Sequence, residues 1–411
     1  MTFFHKKTNL LAIILLIFII LIPKAGIKIN NIPITFGYVL LIIMSILSIY
    51  VNTALIKIHK IGLNNVLIFL LGLPFLLLSS IKLYLYGFVH YGFFLSFFMS
   101  LFIIPFIFLI TFYHQINNIN IINIIKQIKT IVYIIAVYGI FLFFYKTVTG
   151  KFIEIPFVTV NYHDLGMLET TKSIDRGGIF KLISTYNNGN LYGLCVLMLL
   201  PLYCTYESSI IKKTIVKFSL ILTLSRTIWI GLLIYEILSR LNNKKIIIKM
   251  MKMILPVTFV IIVLFTATFL IGKNLNFIFD TTLGTRISQF TRLSDAGLLY
   301  LDAPFSGINE VVYASIAYNF GWLGLFFFSI YIISPLFLFH INRIKENNLK
   351  FKKSIFLGML IYLIVSFSDG AILYIPIMAI YWWLAALLLS KRQSFEEYES
   401  CHYTLLKRKT N

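Results

Sequence analysis

A chain of 411 residues that is 59% hydrophobic and only 12% charged, with a mean hydropathy of +0.90, is not a soluble domain, because no globular core has room for so much apolar surface. The formal net charge of +21 does not point to nucleic acid either. No soluble basic module carries it, and most lysines and arginines flank apolar runs, as topogenic anchors against anionic lipid headgroups do. Three cysteines give no disulfide framework, and seven scattered histidines give no pair at ligand spacing, so neither a metal site nor a cofactor is expected.

Apolar runs suited to crossing ~30 Å of hydrocarbon recur at roughly 10–22, 33–51, 65–81, 88–112, 130–147, 189–206, 213–224, 228–241, 250–271, 312–340, 354–368 and 372–390. The pattern predicts an all-α polytopic membrane protein of about twelve transmembrane helices. Residues 1–390 would form one membrane domain and 391–411 a cytoplasmic tail. The first run follows His5-Lys6-Lys7, and Pro23-Lys24-Ala25-Gly26 makes a poor cleavage site, so the run reads as a retained helix. With the N- and C-termini in the cytoplasm, roughly two thirds of the 36 lysines and arginines fall on the cytoplasmic side, the bias of the positive-inside rule.

One residue decides the topology of the middle. Arg226 lies inside Ile215–Leu238, which would otherwise read as a single span. A guanidinium at the centre of such a helix costs roughly 2.5–3.5 kcal/mol on insertion scales. Two short segments, Lys213–Leu224 and Ile228–Leu241, place Ser225-Arg226-Thr227 at a turn and keep the basic clusters around Lys212 and Arg240 on one face. Glu236 is spaced to pair with Arg240 at i,i+4. The topology leaves two large extracytoplasmic loops, about 148–188 and 272–311, which hold most of the acidic residues. Loops this long are usually functional or disordered, and the aromatic residues and prolines here favour folded ones. Asp369, at the turn of the last hairpin, suits a cap of that turn better than a group pointing into a cavity.

Arg176, Arg226 and Arg286 all fall on the outer side of this topology. Arginine presents a planar fork of donors that matches phosphate oxygens and keeps its charge at any working pH, so three together suit a lipid-linked pyrophosphate. The competing reading makes each a snorkelling anchor or the partner of a carboxylate such as Asp175. No nucleotide-binding fingerprint appears, which argues against a reaction driven by ATP or a sugar nucleotide.

Three blocks within residues 176–340 carry a resemblance. They are Arg176-Gly177-Gly178-Ile179-Phe180 with Asn187, Asn188, Gly189 and Leu200-Pro201-Leu202; Leu224-Ser225-Arg226-Thr227-Ile228-Trp229-Ile230-Gly231; and Ala303-Pro304-Phe305-Ser306-Gly307 with Tyr313 and Gly321-Trp322-Leu323-Gly324. Together they resemble the O-antigen polymerase and O-antigen ligase superfamily, membrane glycan-assembly enzymes of about a dozen helices. Ligases of that superfamily usually carry a histidine about eleven residues before the glycine matching Gly321. Glu310 stands there in this chain, which favours a polymerase. Arg286 to Gly297 also fits the Arg-x10-Gly spacing described in polymerase loops.

The resemblance implies a bacterial cytoplasmic membrane enzyme that needs no metal. It would move a glycan from undecaprenyl pyrophosphate onto a lipid-linked acceptor repeat unit at the outer face. It implies pyrophosphate binding by Arg176, Arg226 and Arg286, with Glu310 as first and Asp302 as second candidate for the base. Glu310 as a solvated loop-end carboxylate, or as a partner of Arg286, is the competing reading. The implied partners are the undecaprenyl-pyrophosphate-linked oligosaccharide and membrane lipids, with room for a chain-length regulator and a flippase, and no nucleic acid. The rivals are an O-antigen ligase-type transferase and a lipid-linked oligosaccharide flippase. A flippase would be expected to show repeated halves and short outer loops, and neither is visible in this chain.

Overall fold

The computed structural model describes residues 14–29, 32–54, 62–168, 175–176, 179–240, 286–291, 293, 296–342 and 349–390. The apolar run at 250–271, residues 272–285 of the second loop and the tail 391–411 lie outside the described residues.

The described chain is mostly helical, with two short antiparallel hairpins. Among the described residues five helices are long and apolar enough to cross a membrane, the pattern of a membrane protein. In chain order, hairpin β1 (Gly26–Ile29) and β2 (Ile32–Thr35) leads into α1 (Phe36–Ala54). Helices α2 (Leu63–Tyr86), α3 (Tyr91–Thr111) and α4 (Ile121–Thr149) follow. Hairpin β3 (Asp175–Arg176) and β4 (Ile179–Phe180) precedes α5 (Gly189–Tyr206), α6 (Ile210–Ile221) and α7 (Arg226–Arg240). The last elements are α8 (Arg286–Thr291), α9 (Val312–Asn342), α10 (Leu349–Val365) and α11 (Ile375–Leu389).

Local chemistry sets several boundaries. The Asn120 side chain accepts from the Ile122 N–H at the start of α4, and Gly150, at φ 72°, ends that helix in the left-handed conformation. Asn188 caps α5 by accepting from the Asn190 and Leu191 N–H groups, and Ser209 caps α6. Helix α11 is apolar all round, and every one of its residues is buried. A helix with no polar face belongs in the interior, and α11 is the post on which α3, α5, α9 and α10 pack. Helix α9 lies along α2, while α5, α7 and α10 form a second group. In that group Gly358 of α10 sits so close to α5 that any Cβ would collide with the Met198 carbonyl.

The chain breaks where the buried arginine called for it. Helix α6 ends at Ile221, Leu224 adopts φ 49°, and α7 begins at Arg226. At the other end of α7, Glu236 pairs with Arg240 (3.3 Å) and also with Lys217 of α6 (2.5 Å). The run expected as one span at 312–340 is kinked instead. Gly321 has φ 76° and ψ 179°, and the N–H groups of Trp322 and Leu323 are taken up by the carbonyls of Gly297 and Leu298. A Cβ at Gly321 would fall 2.6 Å from the Leu298 carbonyl oxygen, so this docking requires glycine.

Glu207, just past α5, accepts from the Ser208 and Ser209 N–H groups (3.0 Å each) and pairs with Lys129 (3.2 Å). Burial pushes its carboxyl up, but the Ser209 N–H and the Lys129 ammonium outweigh it and hold the group below the ordinary carboxylate value. A depressed folded-state pKa contributes stability that is present above the unfolded value and lost as pH falls through the folded one. The melting-temperature gap between wild type and Glu207→Gln in detergent is therefore expected at pH 7 and should close below the ordinary carboxylate range. A gap independent of pH would contradict this. Gly358→Ala should cost about 1–3 kcal/mol through overpacking, measured by thermal unfolding. An unchanged midpoint would mean that the α5–α10 approach is looser than described.

Candidate functional site

Three segments distant in sequence meet at one end of the bundle: Leu182–Asn190, Leu222–Thr227, and the Ser368–Gly370 turn between α10 and α11. The Leu182 N–H donates to the Leu222 carbonyl (3.0 Å). Gly189 stands against the carbonyls of Leu182 and Thr223. The Thr227 and Ser368 hydroxyls hydrogen-bond at 2.9 Å. At the centre of this meeting the Asn190 amide donates to the Asp369 carboxylate at 2.6 Å, with both side chains buried. The Gly370 N–H donates to the Glu310 carbonyl (3.1 Å), which brings the end of the 272–311 segment to the same place.

Arg226 occupies the first position of α7, half-buried at this junction. A helix N-terminus adds its own partial positive charge, so the start of α7 combines that charge with an arginine. Glu310 joins the junction through its backbone, and its side chain is exposed. Arg176 lies in the β3–β4 hairpin, whose chain runs directly into Leu182–Asn190. Arg286 opens α8, and Gln289 of that helix accepts from the Val311 N–H (3.2 Å), next to Glu310. The backbones of Arg226 and Glu310 thus meet at the junction, while Arg176 and Arg286 lie in the elements next to it along the chain. Asp302 belongs to a different grouping. It is exposed, within electrostatic range of Lys82 on α2.

Several polar residues gained importance only in three dimensions. Asp369 is buried and held by Asn190, not merely capping its turn. Its partner is 179 residues away, so no local signal announces the contact. Lys181 is buried, with its Cβ beside Gly189. Lys24, half-buried, lies over the Tyr374 ring (4.9 Å) a few residues from Asp369. Burial pushes its ammonium pKa down, against the pull of Asp164 and with the help of Lys28. Lys82 is fully buried and donates to the Asn319 carbonyl and to the Tyr300 carbonyl (3.4 Å), with the Tyr300 ring 5.0 Å away. In the sequence it stands just past the 65–81 apolar run, where nothing local marks it as a core group.

Comparison with protein-family models, with curated proteins and with solved structures finds no match for this chain. The arrangement is thus read from its own chemistry. It brings a helix that begins at an arginine to the turn that carries a buried, hydrogen-bonded carboxylate, and such a group can hold an anion and orient a neutral polar partner. A double-mutant cycle tests its core. Asp369→Ala leaves the Asn190 amide buried without its acceptor and should cost about 1–3 kcal/mol. Adding Asn190→Ala should cost less than the sum of the two single changes, by about 0.5–3 kcal/mol. Strict additivity in thermal unfolding would mean that the pair does not interact.

Proposed function

We propose that this protein is a polysaccharide repeat-unit polymerase of the O-antigen polymerase and ligase superfamily. In this reading the chain crosses a bacterial cytoplasmic membrane about twelve times, with both termini inside. The segments 148–188 and 272–311 are its two large outer loops. The observation that carries the reading is the placement of Arg226 at a broken-helix turn, beside the Asn190–Asp369 pair and bordered by the segments that bear Arg176, Arg286 and Glu310.

The chemistry is a displacement at the anomeric carbon of the growing glycan. The acceptor hydroxyl oxygen forms the new bond to that carbon, and the bond from the carbon to the pyrophosphate oxygen breaks. Undecaprenyl pyrophosphate leaves with the electron pair. Negative charge gathers on the pyrophosphate oxygens, and preorganised cations aimed at developing charge are usually the largest catalytic term. Arg226 takes this role, with Arg176 and Arg286 completing the clamp. The hydroxyl proton goes to a carboxylate. Glu310, exposed at the rim of the junction, is the first candidate, and Asp302, beside Lys82, is the second. The buried Asp369 holds Asn190 and so shapes the wall of the site.

Gel profiles of lipid-linked and surface glycans from cells carrying wild type, a deletion or Arg226→Ala test the reading. Both changes should collapse the ladder to single repeat units, with Arg226→Ala lowering turnover by about 10²–10³-fold. Full-length lipid-linked chains that accumulate untransferred would identify a ligase. Repeat units trapped on the cytoplasmic face would identify a flippase. Glu310→Gln should lose about 10²–10⁴-fold in turnover while lipid-linked substrate still binds. Full activity in that variant would remove Glu310 from the base role.

A further inference from the structure

The segment after α4 does not rise away from the bundle. It folds back down the outside of the helix. Tyr138 and Leu142 of α4 pack in one cluster with Phe152, Ile153, Val160 and Leu168. Further along, the Ser184 hydroxyl donates to the Ile135 carbonyl (2.7 Å), and Leu182 and Ser184 press against Gly139. Gly139 lies about 15 Å below Thr149 along the helix axis, at ~1.5 Å per residue.

That level is membrane level. The exposed face of α4 carries Ile134, Val137, Phe141, Phe144 and Val148, the last of them 84% exposed. An apolar face needs lipid over its whole height, and from Lys129 to Thr149 the helix covers about 30 Å, one hydrocarbon thickness. The returning segment therefore runs beside helix that lies in lipid.

Its own surface matches. Ile155, Phe157, Val158, Leu165 and Met167 are all exposed, an apolar patch of a kind that calls for a partner. Phe157 has φ 62°, a conformation that a bulky side chain rarely adopts. Its ring gains no place in the core, standing outward and stacked on exposed Tyr162 at 5.1 Å. Meanwhile much of the segment's backbone is satisfied within the segment. The N–H groups of Phe157, Val158, Thr159, Asp164 and Met167 meet carbonyls within the segment, and that of Gly166 meets the Glu154 carboxylate. Irregular chain next to lipid needs this self-sufficiency, because no water is there to replace the missing partners. Lys28, paired with Asp164 (3.0 Å), and exposed Lys151 supply cations at headgroup height.

We infer that residues 150–168 form a membrane-dipping loop, whose apolar edge around Phe157 and Val158 is seated among the lipid chains of the leaflet at the α4 C-terminal end. The occupant is the bilayer itself, because the segment packs on Tyr138 and Leu142, within the stretch of α4 that is long and apolar enough to cross a membrane, and leaves its apolar side chains exposed there. The inference does not depend on the polymerase reading.

The test uses the full chain in vesicles of phosphatidylcholine brominated on its acyl chains, with Phe157→Trp and Val158→Trp each read as a difference from the parent. The added indole should lose emission to the same extent as in Phe141→Trp on the α4 face, and aqueous iodide should leave it untouched. Emission that iodide quenches and brominated lipid does not would place the loop in water and overturn the inference. Emission shielded from both, with a shift that depends on protein density in the vesicles, would mean that a second copy covers the patch, and would overturn it equally. Two sites keep the result readable if one substitution fails to fold. Glycan ladders from the same variants report on the polymerase reading separately.

Discussion

A broken helix inside an apolar bundle is the constraint around which the rest of this fold is arranged. Ending α6 and starting α7 within the same apolar stretch frees backbone carbonyls and N–H groups that lipid cannot satisfy. The structure meets them with protein. The Trp229 indole donates to the Ile221 carbonyl (2.9 Å), and the Leu182 N–H donates to that of Leu222. The turn can exist only because the Leu182–Asn190 segment and the Ser368–Gly370 turn close around it. The two helices that carry those segments, α5 and α10, can approach so closely only because Gly358 has no side chain.

The same logic governs the kink in α9. Gly321 interrupts the helix, and Gly297–Leu299 supplies the carbonyls that the second half of α9 lacks. This docking is locked from two further sides. Phe88 and Phe305 pair their backbones, with the Val89 N–H on the Phe305 carbonyl and the Phe305 N–H on that of Gly87. Asn319 donates to the Gly307 and Ser315 carbonyls and accepts from the Ser306 N–H, while Lys82 reaches the Asn319 carbonyl. A lysine whose charge is spread over carbonyls and the Tyr300 ring ties α2 to the end of the second large segment. Glu310 leaves from that fixed frame, so its position relative to Gly370 is set by packing.

What was legible in the sequence follows from whether the governing force is local. The helices between 63 and 206 fall close to the apolar runs because hydropathy acts along the chain. The break at Arg226 was legible because a charge in an apolar helix carries its own penalty, and Glu236–Arg240 because i,i+4 is a local spacing. The kink at Gly321 was not, since its cause is a loop docked from twenty-odd residues upstream. Asn190–Asp369 was not, because two ordinary polar residues become a pair only when α5 and the last hairpin meet. Lys82 follows the 65–81 apolar run with nothing local to mark it as a core group, and it is buried because the chain around Tyr300 and Asn319 covers it.

The level of the junction bears on how any lipid-linked substrate would reach it. The chain presses on α4 at Gly139, about 15 Å short of the end of that helix, and from there runs through Ser184–Tyr186 into the Asn188 cap of α5. Polar groups set that deep need walls, and α4 with the segment 150–168 packed on it supplies part of them. The Thr159 carbonyl accepts from the Asn187 side chain (2.8 Å), so the returning segment is hydrogen-bonded to the same turn that carries Asn190 toward Asp369. A polar junction therefore shares one rigid frame with an apolar, outward-facing loop. Under the proposed polymerase function, the charged head of a lipid-linked substrate would meet the first surface and its hydrocarbon tail the second.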